Sequence, residues 1–221
     1  MDRPSTDAEG LGIGFFGKIS ASISHEIRNV FAVINENAGL LQDHALRADK
    51  GIPLEPERIK VLGERIMGQI RRGDEILKNM NRFAHSADEM VKAVDLNETV
   101  ELVVRLGERL ASMRGVSLEA VPDPRPVSIT TYPFVLQHLI WRCIDFAVDS
   151  CEGDRTLNLL AGRTENGARI RYLWKDWNGE FSPRPFPSPH DKVLLEMLRA
   201  RVSIESETGG ITLVLPGDVT R

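Results

Sequence analysis

The fold is decided by the stretch GIGFFGKISASISHEIRNVFAVINENAGLLQDHALR, residues 12–47, which has the apolar spacing of one long helix. Apolar residues recur at alternating steps of three and four, and on a helix this spacing gathers them into one seam, as in a coiled coil. The seam is expected to contain Ser20 and Asn37 as polar members. Its expected apolar members are Phe16, Ile23, Ile27, Val30, Ile34 and Leu41.

A second helix follows a break at Ala48–Pro53, where glycine and proline end the first one. Its expected seam is formed by Ile59, Leu62, Ile66, Ile70, Ile76, Met80 and Phe83. Two long helices joined by a short loop pack antiparallel. Because such a hairpin leaves apolar surface open, the simplest cover is a second copy, which gives a homodimeric four-helix bundle. Packing against the C-terminal half of the chain is the alternative.

Beyond Asp88 the chain alternates short strands with helices. We expect a helix from Asn97, its N-cap, to Arg114, with Gly115 as the stop signal. The other expected elements are strands at 116–120, 126–130, 156–162 and 168–175, helices at 134–151 and 191–201, and turns at 165–167 and 209–210. They predict an open mixed sheet with helices on one face. The fold class is therefore α+β, with a helical hairpin domain at 1–90 and an α/β domain at 91–221.

The composition excludes several classes of protein. The 221 residues carry a net charge of -4, which gives no reason to expect nucleic acid or an anionic membrane as a partner. No apolar run approaches the roughly 18 residues of a membrane span, and the N-terminus lacks the basic-then-apolar order of a signal peptide. Cys143 and Cys151 would lie about 12 Å apart on one helix, too far for a disulfide. Reduced thiols fit a reducing compartment, so the expected location is the cytoplasm.

His25 is placed to do chemistry because it lies away from the seam. It is two residues from both Ile23 and Ile27, which at about 100° per residue puts it on the opposite side of the helix. Asn29, four residues on, lies on nearly the same face, and Glu26 lies to one side. An exposed imidazole beside a carboxylate can accept a phosphoryl group. The carboxylate holds one ring nitrogen protonated and leaves the other as the nucleophile.

The stretch from Phe16 to Asn29 resembles the phosphoacceptor box of sensor histidine kinases, in which Ser-His-Glu-(Leu/Ile)-Arg is followed by Thr or Asn. Val30-Phe31 stands where that family has Pro-Leu, so the usual helix kink is not expected here. Residues 70–77 and 80–84 are similar to the second helix of the kinase dimerisation domain. Residues 94–96 and the helix after them are similar to the beginning of the kinase ATP-binding domain. The resemblance therefore implies that family's α/β sandwich for the C-terminal half.

The resemblance also implies roles for three residues. His25 is the phosphoacceptor, Glu26 assists the transfer, and Asn29 positions water for dephosphorylating the partner. The partner is then a receiver domain of a response regulator, expected to contact the residues nearest His25, which are Ala21, Ser22, Arg28 and Ala32. Phosphoryl transfer depends mainly on positioning and charge stabilisation, so this chain needs no cofactor of its own when the receiver supplies Mg²⁺.

The nucleotide-binding motifs of the kinase family are degraded in this chain. Phe146 stands where the metal-ligating asparagine belongs, and Arg142 stands where a second asparagine is often found. Asp176 keeps the adenine-site aspartate position but has tryptophans around it. The lid, glycine-rich in the family, corresponds to the glycine-free Pro185–His190, whose alternating prolines predict a short stiff loop. Structural roles are expected for the other conspicuous side chains, Trp174, Asp176, Trp177, His85 and His190.

These features predict a dimeric histidine phosphotransferase of a two-component phosphorelay, which passes phosphoryl groups between receiver aspartates through His25 without using ATP. Two alternatives remain open. A soluble sensor-type histidine kinase would bind nucleotide through unusual residues. A non-catalytic scaffold would bind receivers without ever being phosphorylated. Nucleotide binding distinguishes the first alternative, and phosphoryl label on His25 distinguishes the second.

Overall fold

The computed structural model describes residues 6–88, 90–150, 155–175, 177, 184–205 and 209–220. The chain begins with two long helices, α1 (Thr6–Asp49) and α2 (Pro56–His85). In the turn between them Gly51 has a φ of 81°, which glycine adopts without steric cost. No helix among the described residues is long and apolar enough to cross a membrane. The two helices predicted from the seam spacing are confirmed.

Backbone contacts divide the chain into two compact units. The hairpin unit is Ser20–Asn81, and the α/β unit joins the start of α1 and the end of α2 to the C-terminal half. The sequence instead places the division between residues 90 and 91. An aromatic cluster explains the difference, because Phe15 stacks on His138 at 4.5 Å between ring centroids and meets Phe83 edge-on at 5.4 Å. These side chains hold both helix ends in the core of the α/β unit.

The helices of the hairpin unit approach each other closely where Val30 faces Gly73. A Cβ added to Gly73 would lie 3.4 Å from the Val30 side chain. Nearer the turn, Leu40 of α1 and Leu62 of α2 line one groove. Residue numbers therefore rise on one helix as they fall on the other, which is the antiparallel arrangement that the short connection requires.

The seam of α1 is narrower than predicted. Ile23, Val30 and Asn37, seven residues apart, are buried, and the Asn37 amide donates to a carbonyl one turn earlier at 2.7 Å. Phe16 is not a buried member, since 37% of its surface is exposed, whereas Phe15 is 5% exposed within the α/β unit. The two phenylalanines are adjacent, so spacing alone assigns the wrong one.

The α/β unit consists of helices around a mixed sheet. Its helices are α3 (Leu96–Ser112), α4 (Pro133–Asp149) and α5 (Pro189–Met197). Its strands are β1 (Lys92–Asp95), β2 (Val116–Val121), β3 (Ser128–Thr131), β4 (Arg155–Thr164), β5 (Gly167–Trp174), β6 (Arg201–Glu205) and β7 (Gly210–Pro216). β1 pairs antiparallel with β3, and the other five strands lie in the order β2-β4-β5-β7-β6.

Only the β2–β4 pair of the five-stranded sheet is parallel. One face of this sheet is buried beneath the helices, where Leu157, Leu159, Ile170, Tyr172 and Leu213 are each 0% exposed. The predicted fold class is thus confirmed, with two long helices followed by an α/β domain that contains a mixed sheet. The dimeric bundle stays a prediction.

Local boundaries differ from the prediction at both ends of the unit. Asp95, not Asn97, caps α3, because its carboxylate accepts the Asn97 backbone N–H at 2.8 Å. The sequence does not predict β1, in which the apolar Ala93 and Val94 are adjacent and do not alternate with polar residues. The last helix ends at Met197 and not at residue 201, since Arg201 already begins β6. Gly115 follows α3 with a φ of 74°, as expected for a stop signal.

Candidate functional site

His25 lies on the exposed face of α1. Arg28 and Asn29 are also exposed and Glu26 is half-buried, whereas Ile23 on the seam side is 6% exposed. The helix continues without interruption through Val30, where a proline would have kinked it. The imidazole is therefore presented to solvent on a regular helix, with an amide on the same face and a carboxylate beside it.

Three of the four residues expected to contact a partner, Ala21, Arg28 and Ala32, are exposed. Ser22 corrects that expectation, since only 2% of its surface is exposed. It lies three residues after the buried Ile19 and therefore shares that side of the helix. Its hydroxyl has no hydrogen-bond partner among the residues that the structure describes.

The second helix contributes to the surface around His25. Because Val30 faces Gly73 in an antiparallel pair, His25 lies level with Lys78. Lys78 is exposed, and its neighbour Leu77 exposes 52% of its surface. A cation and an apolar side chain of α2 are thus exposed at the level of His25.

In the α/β unit, Arg142 of α4 is bound to Asp191 of α5. The Arg142 Nε lies 2.5 Å from one carboxylate oxygen, and Asp191 is 0% exposed. The other oxygen accepts hydrogen bonds from the backbone N–H and the hydroxyl of Ser188, at 2.8 and 2.6 Å. Burial would raise the pKa of Asp191, but the guanidinium and these hydrogen bonds hold it below its ordinary value. The pair joins two helices and caps one of them.

Asp145, three residues after Arg142, is the centre of a larger charge cluster. Lys18 lies 3.2 Å and Arg114 3.1 Å from one oxygen, and Arg142 and Arg184 each lie 3.7 Å from the other. Burial would raise the pKa of Asp145, but the cations of Lys18 and Arg114 keep it below its ordinary value. The carboxylate thus has cations on both sides, and we name these five residues the Asp145 cluster.

Phe146 is packed, and its surroundings are aromatic and cationic. The Phe186 ring stacks on it with 4.5 Å between centroids and 11° between planes. The Arg184 guanidinium lies 6.0 Å from the centroid of the Phe146 ring. The segment expected to be a lid therefore has its Phe186 against the helix residue that replaces the family's metal ligand.

Most of the other residues considered from the sequence make packing or charge contacts, and two of them lie outside the described residues. Trp174 stacks with Trp177 at 6.4 Å, and His85 lies 2.7 Å from Asp88. Asp176 and Cys151 lie outside the described residues. Cys143 is a buried free thiol, and burial raises its pKa to about 12. Neither an exposed thiolate nor a disulfide is found at Cys143.

The Asp145 cluster is the feature that sequence reasoning missed. The available signal was a pair of carboxylates, Asp145 and Asp149, on a helix that is apolar on most sides. Charged residues on a buried helix require partners. Their identity could not be predicted, because Lys18 and Arg114 are 127 and 31 residues away in the chain.

No protein-family model matches this chain, and no curated protein matches it. Among solved structures, a bacterial phosphotransferase matches with a TM-score of 0.49 at 13% identity, covering 96% of this chain and 97% of that one. Histidine kinase ThkA, in complex with the response regulator protein TrrA, matches with a TM-score of 0.49 at 14% identity, covering 95% of this chain and 64% of that one. The catalytic domain of ThkA alone matches with a TM-score of 0.49 at 10% identity, covering 60% of this chain and 99% of that domain.

Proposed function

We propose that this chain is a cytoplasmic histidine phosphotransferase, which receives a phosphoryl group from one receiver domain and passes it to another. The proposal is carried by one observation. Arg142 is bound to Asp191 and Phe146 is packed on Phe186 of the segment that corresponds to the lid, while His25 is exposed on α1. The chain therefore keeps the histidine that accepts the phosphoryl group but lacks the residues with which the kinase family binds ATP.

The transfer uses groups of both proteins. A neutral His25 nitrogen attacks the phosphorus of the receiver's aspartyl phosphate, the N–P bond forms, and the P–O bond to the aspartate breaks. The electron pair of that bond stays on the aspartate, which leaves as a carboxylate. Glu26 holds the proton on the other ring nitrogen, and the receiver supplies the Mg²⁺ that neutralises the phosphoryl oxygens. The reverse reaction loads a second receiver, and Asn29 positions water when the phosphoryl group is hydrolysed instead.

ATP is an unsuitable donor in this account. A phenyl ring and a guanidinium cannot ligate Mg²⁺, which requires oxygen ligands. Both side chains also have partners within the protein, since Arg142 forms an ion pair with Asp191 and the ring of Phe146 stacks on Phe186. Making room for a nucleotide at Arg142 would separate its guanidinium from the buried carboxylate of Asp191, at a cost of several kcal/mol.

Mg²⁺·ATP is therefore expected to cause no saturable change in the tryptophan fluorescence or the melting temperature of the protein. Trp141 is a suitable probe, because it lies next to the Asp145 cluster, with Lys18 5.1 Å from its ring centroid. Titration with Mg²⁺ alone is the control. Saturable binding of the nucleotide would favour the alternative, a soluble histidine kinase with a divergent site.

We further propose that the chain is a homodimer through the hairpin unit. Ile70 and Leu77, seven residues apart on α2, expose 41% and 52% of their surfaces, and Phe31 of α1 exposes 60%. Apolar side chains repeated on one helix face are a surface that a second copy can cover.

Sedimentation equilibrium is expected to give about twice the 24.7 kDa mass of one chain. The Ile70→Glu/Leu77→Glu variant should dissociate, because each interface would then bury like charges. Lys60→Glu, also on α2 but outside that face, is the matched control and should remain dimeric. A wild-type mass of one chain contradicts this part of the proposal.

A further inference from the structure

The face of the five-stranded sheet opposite the helices carries a group of arginines. Side chains alternate along each strand, so the buried Ile170 and Tyr172 of β5 point to the helices, while Arg169 and Arg171 point away from them. Arg201 of β6 is exposed on the same outward face, because its register partner Val214 of β7 is also paired with Arg169. We name Arg169, Arg171 and Arg201 the arginine face.

The strand register fixes the spacing of these three residues. Arg169, Val214 and Arg201 lie in one row across three neighbouring strands, so the two arginines are about 9–10 Å apart at the backbone. Arg171 lies two residues farther along β5, about 7 Å from Arg169. The three guanidinium groups therefore share one surface that a single bound segment could span.

The counter-charges that the structure describes near the arginine face do not form ion pairs with it. The Asp123 carboxylate lies close to Arg169, since a Cβ on Gly162 would be 3.9 Å from the Asp123 Oδ2 and 3.8 Å from the Arg169 Nε. Among the residues that the structure describes, none of its three arginines forms an ion pair, in contrast to Arg114, Arg142 and Arg184 on the helical side. Neighbouring like charges repel each other. Three such cations together are thus an arrangement that an anionic partner would stabilise.

The side chains between the arginines indicate the kind of anion. Val214 and Val121 expose 39% and 41% of their surfaces, and Leu160 lies beside Arg171. A groove of about 580 Å³ at the edge of this face has Val214, Arg199 and Arg201 in its lining, together with one carboxylate, that of Glu165. Aliphatic contact between cations suits a protein segment that alternates carboxylates with apolar residues.

Nucleic acid fits this surface less well. The outward positions of the described strands carry no aromatic side chain, whereas single-stranded nucleic acid is bound by stacking of its bases on aromatic rings. Glu119 and Glu205 occupy the opposite end of the same face, where they would repel a long polyanion. The positive surface is therefore short, and so should its ligand be.

We propose that the arginine face is a docking site for an acidic, aliphatic segment of a partner protein. The carboxylates of the segment form bidentate pairs with the guanidinium groups, and its apolar side chains lie on Val214 and Leu160. This site lies on the α/β unit and is independent of phosphoryl transfer at His25.

A fluorescein-labelled ten-residue peptide of alternating glutamate and leucine tests the proposal, with fluorescence anisotropy as the readout and the full chain as the protein. Binding is expected at low salt, and it should weaken by about tenfold or more in the Arg169→Glu/Arg171→Glu/Arg201→Glu variant, which loses three ion pairs. Lys50→Glu/Lys60→Glu/Arg105→Glu has the same net charge and should bind as the wild type does. If the three glutamates prevent folding, the Arg169→Gln/Arg171→Gln/Arg201→Gln variant replaces that variant and should also bind the peptide more weakly than the wild type does.

Three results would overturn the proposal. One is that the peptide does not bind to the wild type. Another is an equal loss of binding in both charge-reversed variants, which would indicate net charge alone. The third is tighter binding of oligothymidylate or of phosphatidylserine vesicles than of the peptide, through the same three arginines.

Discussion

A His25→Gln variant is expected to take up phosphoryl label from a phosphorylated receiver more than about a thousandfold less than the wild type does, because its side chain has no nucleophilic nitrogen. The substitution should leave the fold unchanged, since His25 is exposed. The measurement is acid-labile, base-stable label on the protein after mixing with the receiver.

The control for that experiment is the same substitution at an exposed histidine of α2. His85→Gln should accept label at the wild-type rate, because it removes an exposed imidazole of α2 and leaves His25, Glu26 and Asn29 unchanged. Label retained by His25→Gln would contradict the assignment of the acceptor. Absence of label from the wild type with every receiver tried would favour the scaffold alternative.

An Asp191→Ala variant is expected to lose about 3 kcal/mol of unfolding free energy, because it removes the carboxylate closest to the partly buried Arg142 and leaves that guanidinium only the more distant Asp145. The variant also removes the carboxylate that accepts two hydrogen bonds from Ser188 at the start of α5. Urea unfolding followed by circular dichroism measures the loss. Glu196→Ala, on an exposed position of the same helix, should change stability by less than about 0.5 kcal/mol.

The same pair predicts a dependence on pH. The pKa of Asp191 in the folded protein is below the ordinary value of 3.8, so its stabilising effect is fully present above that value and is lost as the pH falls through the lower, folded value. Asp191→Ala should therefore lose less stability on acidification than the wild type does. Equal stability of the two proteins near neutral pH would show that the Arg142–Asp191 pair does not hold α4 and α5 together.

Periodicity predicted the helices because a long amphipathic pattern contains many repeats. It could not distinguish Phe15 from Phe16, because adjacent residues are separated by only about 100° around the helix axis. In addition, Phe15 is buried by the α/β unit and not by the hairpin partner from which the seam was predicted. β1 was missed because its four residues show no alternation, since its apolar residues Ala93 and Val94 are adjacent. The error at Ser22 has a related cause, since it lies between the seam and the face of His25.

The parts of the candidate site that depend on residues close together in the sequence were predictable. The exposure of His25 follows from its distance to Ile23, and the substitutions at Arg142 and Phe146 are visible in the sequence. The side chains that contact Arg142 and Phe146 come from distant parts of the sequence. Asp191 lies 49 residues beyond Arg142, and no pattern in one sequence indicates that they meet.

The most direct test of the central claim compares two phosphoryl donors for His25 in one experiment. The wild-type protein is incubated with γ-labelled Mg²⁺·ATP alone or with a receiver carrying labelled aspartyl phosphate, and the label on His25 is followed over time. We predict label from the phosphorylated receiver and none from ATP. Label that ATP alone transfers to His25, and that is absent from His25→Gln, would contradict the account and identify the chain as a kinase.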